Sequence, residues 1–221
     1  MIEIKDIGKF ESVPEIVSDI VKGDVNALEE QLSKGWDINE EKVLSKYTRL
    51  LPLNLAIMMN KSKSIEWLAE HGANLNDEDN PSFLTAVRYS DEETIRYLVS
   101  QGADVNSVNS VETEAFEQAI FGERLDNLAL IDELGHTVKK HGGAAFRNCL
   151  DKRNYDVVEF FIKNGVDINY NEADSIYPFK PTPLCVAARY VDLEMCKYLV
   201  EHGADVTITE KDGMRPYSIA L

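Results

Sequence analysis

The chain has 221 residues, 44% of them hydrophobic, which is enough apolar surface to bury a sizeable core. Its 39 Asp and Glu outnumber 23 Lys and Arg, so the formal net charge is −16; such a surface repels nucleic acid and anionic lipid and attracts a basic partner. No apolar run approaches the roughly 18 residues of a membrane-spanning helix, and Met1–Val13 lacks the basic and apolar regions of a secretory signal, so neither membrane insertion nor export is expected.

Taken in order, two phrases alternate along the chain. The first helical pattern closes on Gly35-Trp36-Asp37-Ile38-Asn39. After an insertion at 40–50, Leu51-Pro52-Leu53-Asn54-Leu55-Ala56 opens the next helix, and Gly72-Ala73-Asn74-Leu75-Asn76 closes that repeat. Ser82-Phe83-Leu84-Thr85-Ala86 and Gly102-Ala103-Asp104-Val105-Asn106 bound the third. Ala115-Phe116-Glu117-Gln118-Ala119 opens the fourth, which ends on a degenerate copy, Gly135-His136-Thr137-Val138-Lys139. The fifth runs from the weak opening Ala145-Phe146-Arg147-Asn148-Cys149 to Gly165-Val166-Asp167-Ile168-Asn169. A second insertion, 170–181, precedes Thr182-Pro183-Leu184-Cys185-Val186-Ala187-Ala188 and Gly203-Ala204-Asp205-Val206-Thr207. Pro216-Tyr217-Ser218-Ile219-Ala220 begins one more opening phrase.

The closing glycines fall at intervals of 37, 30, 33, 30 and 38 residues. Seven and four positions before each lies an apolar pair (Gln31 is the exception), so each glycine ends a short amphipathic helix, at the C′ position that demands a left-handed backbone. Each opening phrase makes an earlier helix: Thr182 suits an N-cap and Pro183 a first helical position. The small residues Ala56, Ala86, Ala119, Cys149 and Ala187 mark where two helices approach closely. A fixed period of helix pairs means a solenoid.

With its period near 33, its TPLxxAA opening and its GADVN closing phrase, the chain resembles the ankyrin-repeat family from about Pro14 to Leu221. The resemblance implies an all-α solenoid of stacked helix pairs with short hairpin loops, as a single domain over 1–221. The repeats are 14–48, 49–80, 81–110, 111–143, 144–180 and 181–213, with a partial cap at 214–221. Asn54, Thr85 and Cys185 stand in place of the family's motif histidine.

The resemblance also implies a non-catalytic scaffold that binds another protein through a concave groove and the hairpin tips. The groove positions follow the small residues of each first helix: Lys22, Met58, Met59, Arg88, Tyr89, Phe121, Asp151, Lys152, Arg189 and Tyr190. Arg, Tyr, Met and Phe are types enriched at interface cores. Two loop sets join them. Asp77, Glu78 and Asp79 on one hairpin, with Glu112, Glu114, Glu172 and Asp174 on others, could meet a basic partner. Tyr170, Tyr177 and Phe179 on the second insertion are either a recognition finger or packing for the neighbouring repeat. The acids of the second helices, such as Glu66, Glu92 and Glu201, read as a solvated back.

Catalysis finds no support. His71 and His202 belong to the repeat pattern at helix C-termini, and His136 and His141 are expected at the surface. No nucleotide-binding, zinc-protease or nucleophile-elbow motif is present, and no cofactor or metal is expected. Three cysteines without a CxxC pair are read as reduced thiols in a cytoplasmic monomer. An alternative use of the same scaffold is an immunity or inhibitor protein against a basic toxin or nuclease; a further one is the regulatory domain of an enzyme.

Overall fold

A computed structural model describes residues 15–45, 48–174 and 176–219, without the side chains of 43–48. The contacts divide the chain into two units, Met1–Ser110 and Val111–Leu221.

The first unit stacks three helix pairs. These are α1 (Glu15–Lys22) with α2 (Val25–Ser33), α3 (Pro52–Met58) with α4 (Ser62–Glu70), and α5 (Ser82–Tyr89) with α6 (Glu92–Ser100). The first helices α1, α3 and α5 pack on one another in sequence. The first insertion is not irregular: β1 (Lys42–Ser45) and β2 (Thr48–Leu50) form an antiparallel hairpin, pairing Lys42 with Leu50 and Val43 with Arg49. This small sheet lies outside the all-helical expectation, and α1 and α3 on either side of it still pack together.

The closing phrase has a complete physical account in this unit. Gly35, Gly72 and Gly102 all have positive φ, as a left-handed C′ residue must. The Asx two residues on then turns the chain: Asp37, Asn74 and Asp104 accept from the N–H of Asn39, Asn76 and Asn106 at 2.9, 3.1 and 2.9 Å. The final asparagine reaches into the next repeat. Asn39 donates to the Gly72 carbonyl (3.2 Å) and accepts from the Asn74 N–H (2.7 Å); Asn76 repeats both bonds with Gly102 (3.0 Å) and Asp104 (2.8 Å).

The opening phrase is equally informative. Helical register puts Leu84, not Thr85, level with Asn54, because α5 starts at Ser82 and α3 at Pro52. Asn54 is buried and donates to the carbonyl of Asn80, the last residue of its own repeat (3.0 Å), and to the hydroxyl of Thr85 on the following one (2.6 Å).

The second unit contains α7 (Ala115–Phe121), α8 (Asn127–Glu133), α9 (Val138–Asn148), a 3-10 turn (Cys149–Lys152), α10 (Tyr155–Lys163), α11 (Pro183–Arg189), α12 (Leu193–Glu201) and the short α13 (Pro216–Ile219). Here α7, α9 and α11 are the stacked first helices. The degenerate phrase explains the length of α9. Thr137 occupies the Asx position but makes no Asx turn; it stands, without a side-chain capping bond, at the start of a helix that begins at once. Asp132 accepts from the Val138 N–H at 2.7 Å and secures the entry. Where the phrase is intact, the first unit's pattern returns: Asp167 accepts from Asn169 (2.9 Å), whose side chain accepts from the Asp205 N–H (2.8 Å).

Candidate functional site

Every expected groove residue lies at the C-terminal end of a first helix or just past it. Lys22 is exposed at the end of α1; Met58 and Met59, at the end of α3, are half-buried. Arg88 and Tyr89 end α5, both half-buried, with the guanidinium 5.3 Å from the ring centre. Of the hairpin acids, Asp77 is engaged in its own turn, accepting from Asp79 and Asn80 at 3.1 and 2.9 Å, while Glu78 and Asp79 are exposed.

In the second unit the equivalent residues converge. Phe121, Asp151, Lys152, Tyr177 and Tyr190 line one cleft of about 170 Å³, together with Ile176 and, at its base, Glu117 and Asn148. Phe121, Ile176 and Tyr190 are among the exposed large hydrophobic residues, at 42%, 47% and 45%. Burial pushes the Glu117 carboxyl above its ordinary value, although the Glu114 N–H (3.1 Å) and the Asn148 amide (3.1 Å) both donate to it. Burial, and then a hydrogen bond with Tyr190, holds the Tyr177 phenol above its ordinary value. A cleft this small is below the size of a drug-like ligand site.

The wall of this cleft rests on a residue to which the sequence drew no attention. Arg147 is completely buried in α9. Its guanidinium donates to the carbonyls of Glu172 (2.6 Å) and Pro181 (3.4 Å), pairs with the Asp174 carboxylate, and sits 5.0 and 5.1 Å from the rings of Tyr170 and Tyr177. One cation thus folds the second insertion back onto α9. Tyr170 is seated so closely on this helix that a Cβ on Gly143 would lie 2.2 Å from its ring. Of the two roles open to the aromatic insertion, packing is the one these contacts display. Asp174, expected among the rim acids, is the internal partner of Arg147, and Glu172 pairs with Lys180 at 2.9 Å.

Arg189 also has an internal partner. It pairs with Glu210, whose side chain is fully buried, and lies 4.8 Å from the Phe179 ring. Arg189 therefore joins α11 to the hairpin that follows α12.

The expectation of surface histidines fails in this unit. His136 is 0% exposed and His141 half-buried, stacked at 4.0 Å between centroids. The reason is positional. His136 follows the closing glycine, as do Ala73, Ala103, Val166 and Ala204, all of them buried. Burial alone would raise the Glu114 carboxyl beside them, but the hydrogen bonds and charge of His136 and His141 together hold it below its ordinary value. His71 and His202 behave as the repeat pattern implies, pairing Nδ1 with the carbonyls of Trp67 and Tyr198 at 2.7 Å. The acids of the second helices are mostly solvated, and several pair one turn away: Glu30–Lys34, Glu92–Arg96 and Glu159–Lys163. Among the described residues, no helix is long and apolar enough to cross a membrane.

Comparison with known proteins agrees with this geometry. An ankyrin-repeat protein of Rickettsia bellii (strain RML369-C) is 30% identical over 128 residues, covering 53% of this chain and 76% of that one. Among solved structures, the ankyrin repeat domain of human ASB11 is similar with a TM-score of 0.70 at 16% identity, covering 95% of this chain and 92% of that one. That of Bcl-3, a member of the IkappaB family, gives 0.74 at 18% identity, covering 96% and 95%. The family model for ankyrin repeats matches residues 17–109 and 135–221. The intervening stretch, which carries the opening phrase Ala115–Ala119, folds as the pair α7 and α8. The chain therefore belongs to the ankyrin-repeat family.

Proposed function

We propose that this chain is a monomeric, non-catalytic scaffold that binds another protein, and that the cleft of the second unit takes the partner's anchoring side chain. The observation that carries this reading is the convergence of Phe121, Asp151, Lys152, Tyr177 and Tyr190 on that cleft. Its apolar walls and the carboxyls of Glu117 and Asp151 suit an Arg or Lys, with the stem along the rings and the cation at the acids. Tyr190, Val191 and Leu193 extend the apolar surface at the neighbouring turn, 45%, 81% and 65% exposed. A rigid scaffold lowers the ordering cost of association.

The net charge of −16 favours a basic partner, including the toxin or nuclease that an immunity protein would neutralise. The thiols fit the reducing cytoplasm; burial pushes Cys149 up to about 12, so it stays protonated and unreactive.

The test is an affinity measurement on the partner captured by the tagged chain, with a basic product of a neighbouring reading frame as the first candidate. Phe121→Ala with Tyr190→Ala should weaken binding by about 2–4 kcal/mol with little change in unfolding midpoint. Full affinity in that variant, with loss in Met58→Ala/Met59→Ala, would move the site to the first unit. An association rate indifferent to salt would remove the basic partner.

A further inference from the structure

We propose that Glu114, His136 and His141 form a binding site for a divalent transition metal of the zinc class. The three residues come from separate places in the second unit: Glu114 is the N-cap of α7, His136 follows the glycine that ends α8, and His141 lies in the first turn of α9. Their donor atoms all lie within 4.8 Å of one another. His136 Nε2 is 3.5 Å and His141 Nδ1 is 3.2 Å from the same Glu114 oxygen. Two imidazoles and a carboxylate around zinc, at about 2.1 Å each, put neighbouring donors roughly 3.4 Å apart in a tetrahedron. Two edges of that tetrahedron are thus in place. Closing the third requires the stacked rings, now 20° from parallel, to rotate so that their nitrogens converge.

The donor set is that of a borderline metal: imidazole nitrogen suits zinc, cobalt and nickel, whereas magnesium and calcium take oxygen throughout. The surroundings are protein-like on one side and open on the other. His136 is fully buried with its ring 5.3 Å from Phe116, so water reaches the site only from the Glu114 and His141 side. Glu114 and His141 also line a cavity of about 170 Å³ with Lys140, Tyr170 and Asp174, leaving room for water as a fourth ligand. A bound ion would tie the entry of α7 to the first turn of α9, the helix on which Tyr170 and Arg147 are seated. This inference does not depend on the proposed cleft, whose partner-binding variants leave the three ligands untouched.

The test uses the full chain, stripped with a chelator and titrated with Zn²⁺. One equivalent should bind, and the melting temperature should rise with zinc concentration. His141→Ala and the isosteric Glu114→Gln should each weaken binding at least about tenfold. Should either variant fail to fold, the Co²⁺ complex of the unaltered chain decides. Four-coordinate nitrogen and oxygen ligation gives visible d–d bands without thiolate charge transfer. Absence of stoichiometric uptake, a thiolate band from the cysteines, or unchanged affinity in both folded variants would overturn the site.

Discussion

The two units are built from the same helix pair but held together differently. In the first, the closing phrase does the joining: Asn39 and Asn76 each bond the backbone of the following repeat twice. In the second, a degenerate phrase and a long insertion shift the work to charged side chains, with Arg147, Glu117 and Glu210 all buried. Their surfaces differ too. Of thirteen exposed large hydrophobic side chains among the described residues, only Val108 lies in the first unit. Regular repeats thus leave little apolar surface uncovered, and irregular ones supply both the polar core and the exposed patch expected of a binding surface.

Substitutions can break this contrast. The largest effect is expected from Arg147→Ala, which strands Asp174 and frees the insertion; a loss of about 3–5 kcal/mol should appear in urea denaturation. Gly143→Ala should cost about 2–3 kcal/mol by the same measurement, since the ring of Tyr170 must leave its seat. Arg189→Ala should cost about 2 kcal/mol because buried Glu210 loses its cation, discounted for the partial exposure of Arg189. In the regular unit, Asn76→Ala removes two hydrogen bonds between repeats and should cost about 1–2 kcal/mol. A cost for Asn76→Ala equal to that of Arg147→Ala would erase the distinction. The smallest change runs the other way. Val191 is β-branched, 81% exposed and held at φ 53°, so Val191→Gly should raise the thermal midpoint by the equivalent of about 1 kcal/mol. Weaker partner binding by that stabilised variant would place Val191 in the interface.

The fold was legible because its signals are local. A glycine at a left-handed position, an Asx two residues later and a proline at a helix start each act within a turn, and the period multiplies them. The same count put the residues expected in the groove at the ends of the first helices, where they stand. Harder to read was whatever depends on a distant segment. Arg147 occupies the register of Asn54, Glu117 and Cys185, a buried position that tolerates polar side chains, so its burial was legible by alignment. Its partners, supplied by an insertion more than twenty residues away, were not. His136 could likewise have been placed by the alanines at its register, whereas its meeting with Glu114 required the folded chain. The β1–β2 hairpin carries no repeat signal at all.

The asparagine joints carry one more consequence. Both bonds made by Asn39 and by Asn76 go to main-chain atoms of the neighbour, which every residue type except proline offers. The joint is therefore indifferent to the neighbour's side chains. A repeat copied or excised together with its asparagine finds the same carbonyl and amide on any neighbour that carries the closing phrase, so this joint sets no limit of its own on which repeats follow one another, and the limit falls to side-chain contacts such as Asn54 with Thr85.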